Sequence, residues 1–183
     1  MKKLIALFAV VITTIVLLTS CGPSTTGPIA SKPTLQQEAT GIEVMRFVKY
    51  TNQVDAYEFV TADSKYTLVD EAWFKANVLN GFNDFLVKNG VGAVNLKKND
   101  CDDFSRAFSF FSRVKSMQAS FMDSDLAVGD LYYKNFDVSH AINVAVVLDT
   151  DKKWKILFIE PQGPKVVDLQ EEYRKFYVFH VGM

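Results

Sequence analysis

Hydrophobic spacing changes character part-way along the chain, and that change limits the folds open to it. In Glu71–Gly90, EAWFKANVLNGFNDFLVKNG, the residues Trp73, Phe74, Val78, Phe82, Phe85 and Leu86 recur at helical intervals. Asp70 offers an N-cap and Asn89-Gly90 a stop. A second helical run follows, with Phe104, Phe108 and Phe111 on one face and Asn99 or Asp100 as its cap. Downstream the period falls to two. Ala141–Asp149 and Lys153–Glu160 are rich in β-formers and flank the polar turn Thr150, Asp151 and Lys152, so they read as a hairpin. Leu126–Tyr133 reads as a preceding strand, and YRKFYVFHVGM, Tyr173–Met183, as a later one. Helices first and antiparallel strands afterwards predict an α+β domain.

The N-terminus supplies an address. Met1–Ser20 has a basic start at Lys2 and Lys3 and an uncharged run from Leu4 to Leu18, shorter than the roughly 20 apolar residues of a membrane span. The segment Leu18-Thr19-Ser20-Cys21 resembles the bacterial lipobox, which implies cleavage before Cys21, lipidation of Cys21 and a lipid-anchored place in the cell envelope, outside the cytoplasm. Residues 21–40 hold three of the chain's five prolines and no aromatic residue, a composition expected of a flexible tether. Fully extended, it would reach roughly 60 Å. Residues 41–183 then form one domain of ordinary size, without internal repeats. Loss of Lys2 and Lys3 leaves 18 basic residues against 21 acidic ones. Such a mildly acidic chain gives no footing to a nucleic-acid partner, and no zinc spacing or phosphate-binding glycine loop is present.

The chain has two cysteines. A lipidated Cys21 cannot pair, so Cys101 is a solitary thiol in an exported protein. It falls in the first turn of the second helix, where unpaired backbone N–H groups favour a thiolate. The two histidines are His140 and His180. His140 opens one strand of the hairpin and Glu160 closes the other, which makes them cross-strand neighbours. Asn143 should face the opposite side of the sheet and reads as structural, while His180 reads as an edge residue. Pro161 and Pro164 bracket the turn that holds Glu160 and Gln162.

The motifs NDCDDFSRAF, SHAINVAVVLD and ILFIEPQ resemble, in order and spacing, the papain-like cysteine peptidases, nearest to the peptidase domain of a mushroom agglutinin. The resemblance spans about Asn99 to Gln162. It implies a papain-like α+β fold with N-terminal helices packed on an antiparallel sheet. It further implies Cys101 as nucleophile, His140 as general base and acid, and Glu160, or alternatively Gln162, as the residue that orients the imidazole. Asn95 or Asn99 would stabilise the oxyanion, in place of the usual glutamine. Because that agglutinin domain is calcium-dependent, the resemblance also offers Asp100, Asp102 and Asp103 as calcium ligands. Read from the residues alone, these acids are a cap and first-turn carboxylates, and their adjacency does not match a calcium loop. The expected function is a membrane-tethered thiol hydrolase, a peptidase or amidase, acting on peptide, protein or peptidoglycan and requiring no cofactor, with calcium as an optional ion. The alternatives are a non-catalytic lipoprotein binding module on the same fold and a transglutaminase-like acyl transferase.

Overall fold

The computed structural model describes residues 31–51, 58–91, 100–134, 139–168 and 177–183. The expected signal segment, Cys21, Asn95 and Asn99 lie outside the described residues. No described helix is long and apolar enough to cross a membrane.

The expected tether ends sooner than Thr40. Gln36–Thr40 forms strand β1, antiparallel to β3, Lys65–Val69, in a small two-stranded sheet. Asp70 ties this start down. Its Oδ2 accepts from the amides of Thr34 at 2.8 Å and Leu35 at 3.2 Å, while Oδ1 caps the next helix through the Trp73 amide at 2.7 Å. Helix α1, Gly41–Thr51, begins with a reciprocal cap. The Thr40 amide donates to Glu43 Oε2 at 2.8 Å and the Glu43 amide to Thr40 Oγ1 at 3.2 Å. Strand β2, Glu58–Val60, follows it.

Helix α2 runs through Glu71–Phe74, a π-helical turn at Lys75–Leu79, and Asn80–Lys88. Its buried residues Phe74, Val78, Phe82 and Leu86 recur at strict intervals of four. An α-helix of 3.6 residues per turn would rotate such a row away from the core, and the wider π turn brings it back. Gly90, at φ +66°, ends the run as expected. Helix α3 spans Cys101–Gln118 and is capped by Asp100 in a capping box with Asp103.

The main sheet has six strands in the order β2-β8-β4-β5-β6-β7. The strands are β4, Val128–Lys134; β5, Ser139–Leu148; β6, Trp154–Glu160; β7, Lys165–Val167; and β8, Tyr177–Gly182. All neighbours are antiparallel except β2 and β8, which run parallel. The α+β class is therefore as expected in coarse form, with a mostly antiparallel sheet and helices packed on it. Strands β1 to β3 and helix α1 are additions that alternation did not announce.

Both faces of the sheet are covered. Ile142, Val144, Val146 and Leu148 of β5 pack with Val44 and Val48 of α1 and Leu68 of β3. Ala145 and Val147 point the other way, into a layer of Trp73, Phe74, Phe82, Phe104 and Phe108 from α2 and α3. Residues 141–148 are consequently buried without a break, as in a strand enclosed on both sides. Phe82 anchors the second layer, with ring centroids 5.1 Å from Phe108 and 5.5 Å from Phe111.

Candidate functional site

Helix α3 is fixed to the sheet by polar contacts as well as by its phenylalanines. Asp130 Oδ1 accepts from Ser105 Oγ at 2.8 Å, Ser109 Oγ at 2.7 Å and Asn143 Nδ2 at 3.0 Å. Asn143 Nδ2 also reaches the carbonyls of Ser105 at 3.0 Å and Gly129 at 3.2 Å. Asn143 is fully buried, so its donors must be met inside the fold. The expectation that Asn143 faces away from His140 and acts structurally agrees with this network. The network itself was not anticipated. Its trace in the sequence is the row Ser105, Ser109, Ser112 and Ser116, spaced 4, 3 and 4 beside the Phe row, together with Asp130 and Asn143 inside apolar strands.

The register of the network sets where the expected catalytic residues fall. Ser105 Oγ meets the Ile142 carbonyl at 3.1 Å, so Cys101, one turn earlier, and His140, two residues earlier, lie at the same end of the sheet. Alternation along β5 gives His140 the face of Ile142 and Val144, the face turned from α3. There its ring packs edge-on against Tyr133, with centroids 5.4 Å apart. The expected cross-strand pair forms, with His140 Nε2 and Glu160 Oε2 2.8 Å apart. Burial works against ionisation of Glu160, but the His140 hydrogen bond, the Gln162 amide and the Lys165 charge outweigh it and hold the carboxyl below its ordinary range. Gln162 sits in the turn after β6, and its contact with the pair is its backbone N–H, 3.1 Å from Glu160 Oε1. Cys101 is a half-buried free thiol. No hydrogen bond among the described residues joins it to His140.

Ahead of the thiol, carboxylate oxygens of Asp100, Asp102 and Asp103 lie within 4.8 Å of one another. A hydrogen bond between the Asp100 and Asp102 carboxyls splits their behaviour, with Asp102 pushed up and Asp100 held down. Arg106 partly neutralises the group through a 3.0 Å ion pair with Asp102. Asp100 Oδ1 is buried without a hydrogen-bond partner. Crowded carboxylates with an orphaned oxygen fit a hard cation, so these residues could hold one.

Beside α3, on the Asp130 face, a cleft of about 400 Å³ opens between the helix and strands β2, β4 and β8. Phe110, Arg106 and Arg113 line it from the helix, and Asp125, Asp130 and Gly182 from the opposite side. Arg113 is braced by two acids, Asp63 at 3.0 Å and Asp125 at 2.7 Å. Gly129 forms part of the floor, where a side chain would collide with the backbone of Gly182.

No family model matches the chain, and no curated protein does. Solved structures do. The chain shares its fold with a lectin. One match is PSL1a in a complex with E64, and another is the Polyporus squamosus lectin bound to the human-type influenza-binding epitope Neu5Acα2-6Galβ1-4GlcNAc. Each is 15% identical with a TM-score of 0.59, covering 80% of this chain. The chain spans about half the length of these proteins, 50% of the first and 49% of the second. The likeness to a mushroom agglutinin therefore stands at the level of fold. The expectation of a thiol hydrolase, whether peptidase or amidase, is corrected by this result, because a structural neighbour is a lectin solved with a bound glycan.

Proposed function

We propose that this chain is a carbohydrate-binding module on a papain-like α+β scaffold, held at a bacterial membrane, outside the cytoplasm, by lipid on Cys21. The observation that carries the reading is the likeness, over 80% of the chain, to a lectin solved with a bound glycan. The anchor draws its support from the lipobox-like Leu18–Cys21 alone. In this reading the His140–Glu160 pair and the Gln162 amide fasten the end of the β5–β6 hairpin. Cys101 is the first residue of α3, and its thiol takes no part in binding. The acids Asp100, Asp102 and Asp103 hold a calcium ion that stiffens the start of α3, a role supported by the orphaned Asp100 oxygen.

Incubating the full chain with a glycan array should give selective, saturable binding to a subset of oligosaccharides. Absence of binding to every glycan at millimolar concentration overturns the reading. Calcium should raise the melting temperature by a few degrees relative to chelator, and Asp102→Asn should abolish the increment, with magnesium as the control for ionic strength. An unchanged melting curve removes the calcium ion from the proposal.

A further inference from the structure

We infer that the outer face of α1 rests on the anionic surface of the bilayer that anchors Cys21, with the α2–α3 layer turned away from it. The inference rests on the lipid anchor proposed above and adds to it the surface of the domain that meets the membrane. At about 3.6 residues per turn, Ile42, Arg46, Lys49 and Tyr50 fall on one side of α1, opposite the buried Val44 and Val48. Ile42 is 57% and Tyr50 72% exposed, and Arg46 and Lys49 are exposed between them. An outward face that joins an aliphatic and an aromatic side chain to a guanidinium and an ammonium suits a helix lying in a membrane interface.

The cations of this face have no carboxylate partner among the described residues. Elsewhere Arg106, Arg113, Lys75 and Lys155 are all held in ion pairs. The Lys49 ammonium instead lies 5.7 Å from the centroid of the Phe59 ring. Glu43, the acid of α1, has its carboxylate engaged with Thr40 at the helix start. Arg46 and Lys49 can therefore take lipid phosphate oxygens, while Ile42 and Tyr50 supply the apolar contact that draws the helix into the headgroup layer.

Connectivity brings the bilayer within reach. Ten residues lead from Cys21 to Ser31, a span of at most about 35 Å. Trp73 Nε1 holds the Ser31 carbonyl at 2.7 Å, and Asp70 holds the amides of Thr34 and Leu35, so the domain starts close behind the anchor. Helix α1 returns towards this entry. Its Phe47 ring lies 5.3 Å from that of Trp154, whose Nε1 donates to Oε1 of Gln37 in β1 at 3.2 Å. A surface held so near acts at high local concentration, and a weak contact suffices. Because α1 and the α2–α3 layer cover opposite faces of the main sheet, contact through α1 turns the other layer outwards.

The test is lysine acylation of the mature, lipidated full chain, bound either to phosphatidylcholine vesicles or to vesicles with about one-third phosphatidylglycerol. A water-soluble acylating reagent and peptide mass spectrometry give the rate at each lysine. Lys49 should react at least fivefold more slowly on the anionic vesicles, whereas Lys88, exposed on α2, should be unchanged. Salt at about 0.5 M should lift the protection. Arg46→Glu, at an exposed position, should keep the melting temperature and lose the protection of Lys49. Equal rates at Lys49 on the two vesicles, protection that survives in Arg46→Glu, or protection of Lys88 instead, each overturns the docking face while the anchor stands. Absence of an acyl group on Cys21 in the mature protein overturns the anchor and the inference with it.

Discussion

The two faces of the main sheet carry polarity in opposite ways. On the α3 face, Asp130 and Asn143 are embedded among Phe104, Phe108 and Val147, where every donor needs a partner inside the protein. On the α1 face the packing mixes aliphatic residues with Tyr66, Tyr133 and Phe158, and the polar pair His140–Glu160 stands at its open end, about one-fifth exposed. Polar groups in the middle of a face lock one element onto another, while polar groups at the end of a face remain in touch with solvent. The first arrangement is stability held in reserve for the neighbouring cleft. The second tolerates change.

Substitutions can break or sharpen that contrast. Gly129→Ala should have the largest effect, about 4 kcal/mol or more, since its methyl group would meet the Gly182 backbone and part β4 from β8. Urea unfolding would measure it, and a loss below about 1 kcal/mol would show that the strands can separate cheaply. Asp130→Ala comes next. It removes an acceptor shared by Ser105, Ser109 and Asn143, strands the Ser109 hydroxyl, and should cost about 1–3 kcal/mol, with the midpoint of chemical denaturation falling and the fold retained.

Glu160→Gln should cost about 1 kcal/mol or less at neutral pH, because water still reaches and screens the pair at the end of the sheet. The sign of its pH dependence is fixed. A carboxyl held below its ordinary value when folded stabilises above the unfolded value near about 4.3, and that contribution fades as pH falls through the folded one. Melting curves of wild type and Glu160→Gln should therefore converge in acid, and curves parallel from pH 7 to pH 3 would contradict the pairing. Cys101→Ser should be the mildest, within about 0.5 kcal/mol in stability and without effect on glycan affinity.

The same contrast marks what the sequence could disclose. The hairpin placed His140 beside Glu160 because adjacent strands with a short turn fix their own register. Helix α2 was legible from its aromatics, while the π turn hid in the fourfold spacing of Phe74, Val78, Phe82 and Leu86. Strand β1 was read as tether because Gln36, Gln37 and Glu38 are exposed and polar, and what orders them is backbone pairing with β3 about 30 residues on. The Asp130 network needs the register of α3 against β4 and β5, which no local pattern contains. Likewise, motif order brought Cys101, His140 and Glu160 into one reading, of which the structure joins His140 and Glu160 by a hydrogen bond.

Strand β8 has a temporal consequence. It follows all the other described strands along the chain, yet it lies between β2 and β4. The carbonyl of Val60 receives the Met183 amide at 2.9 Å, and the Ala62 amide binds the Met183 carbonyl at 2.6 Å. The strand made early thus waits for more than a hundred residues of synthesis before it finds its partner. Closing so distant a pair is slow. Until it closes, β2 and β4 expose unpaired edges.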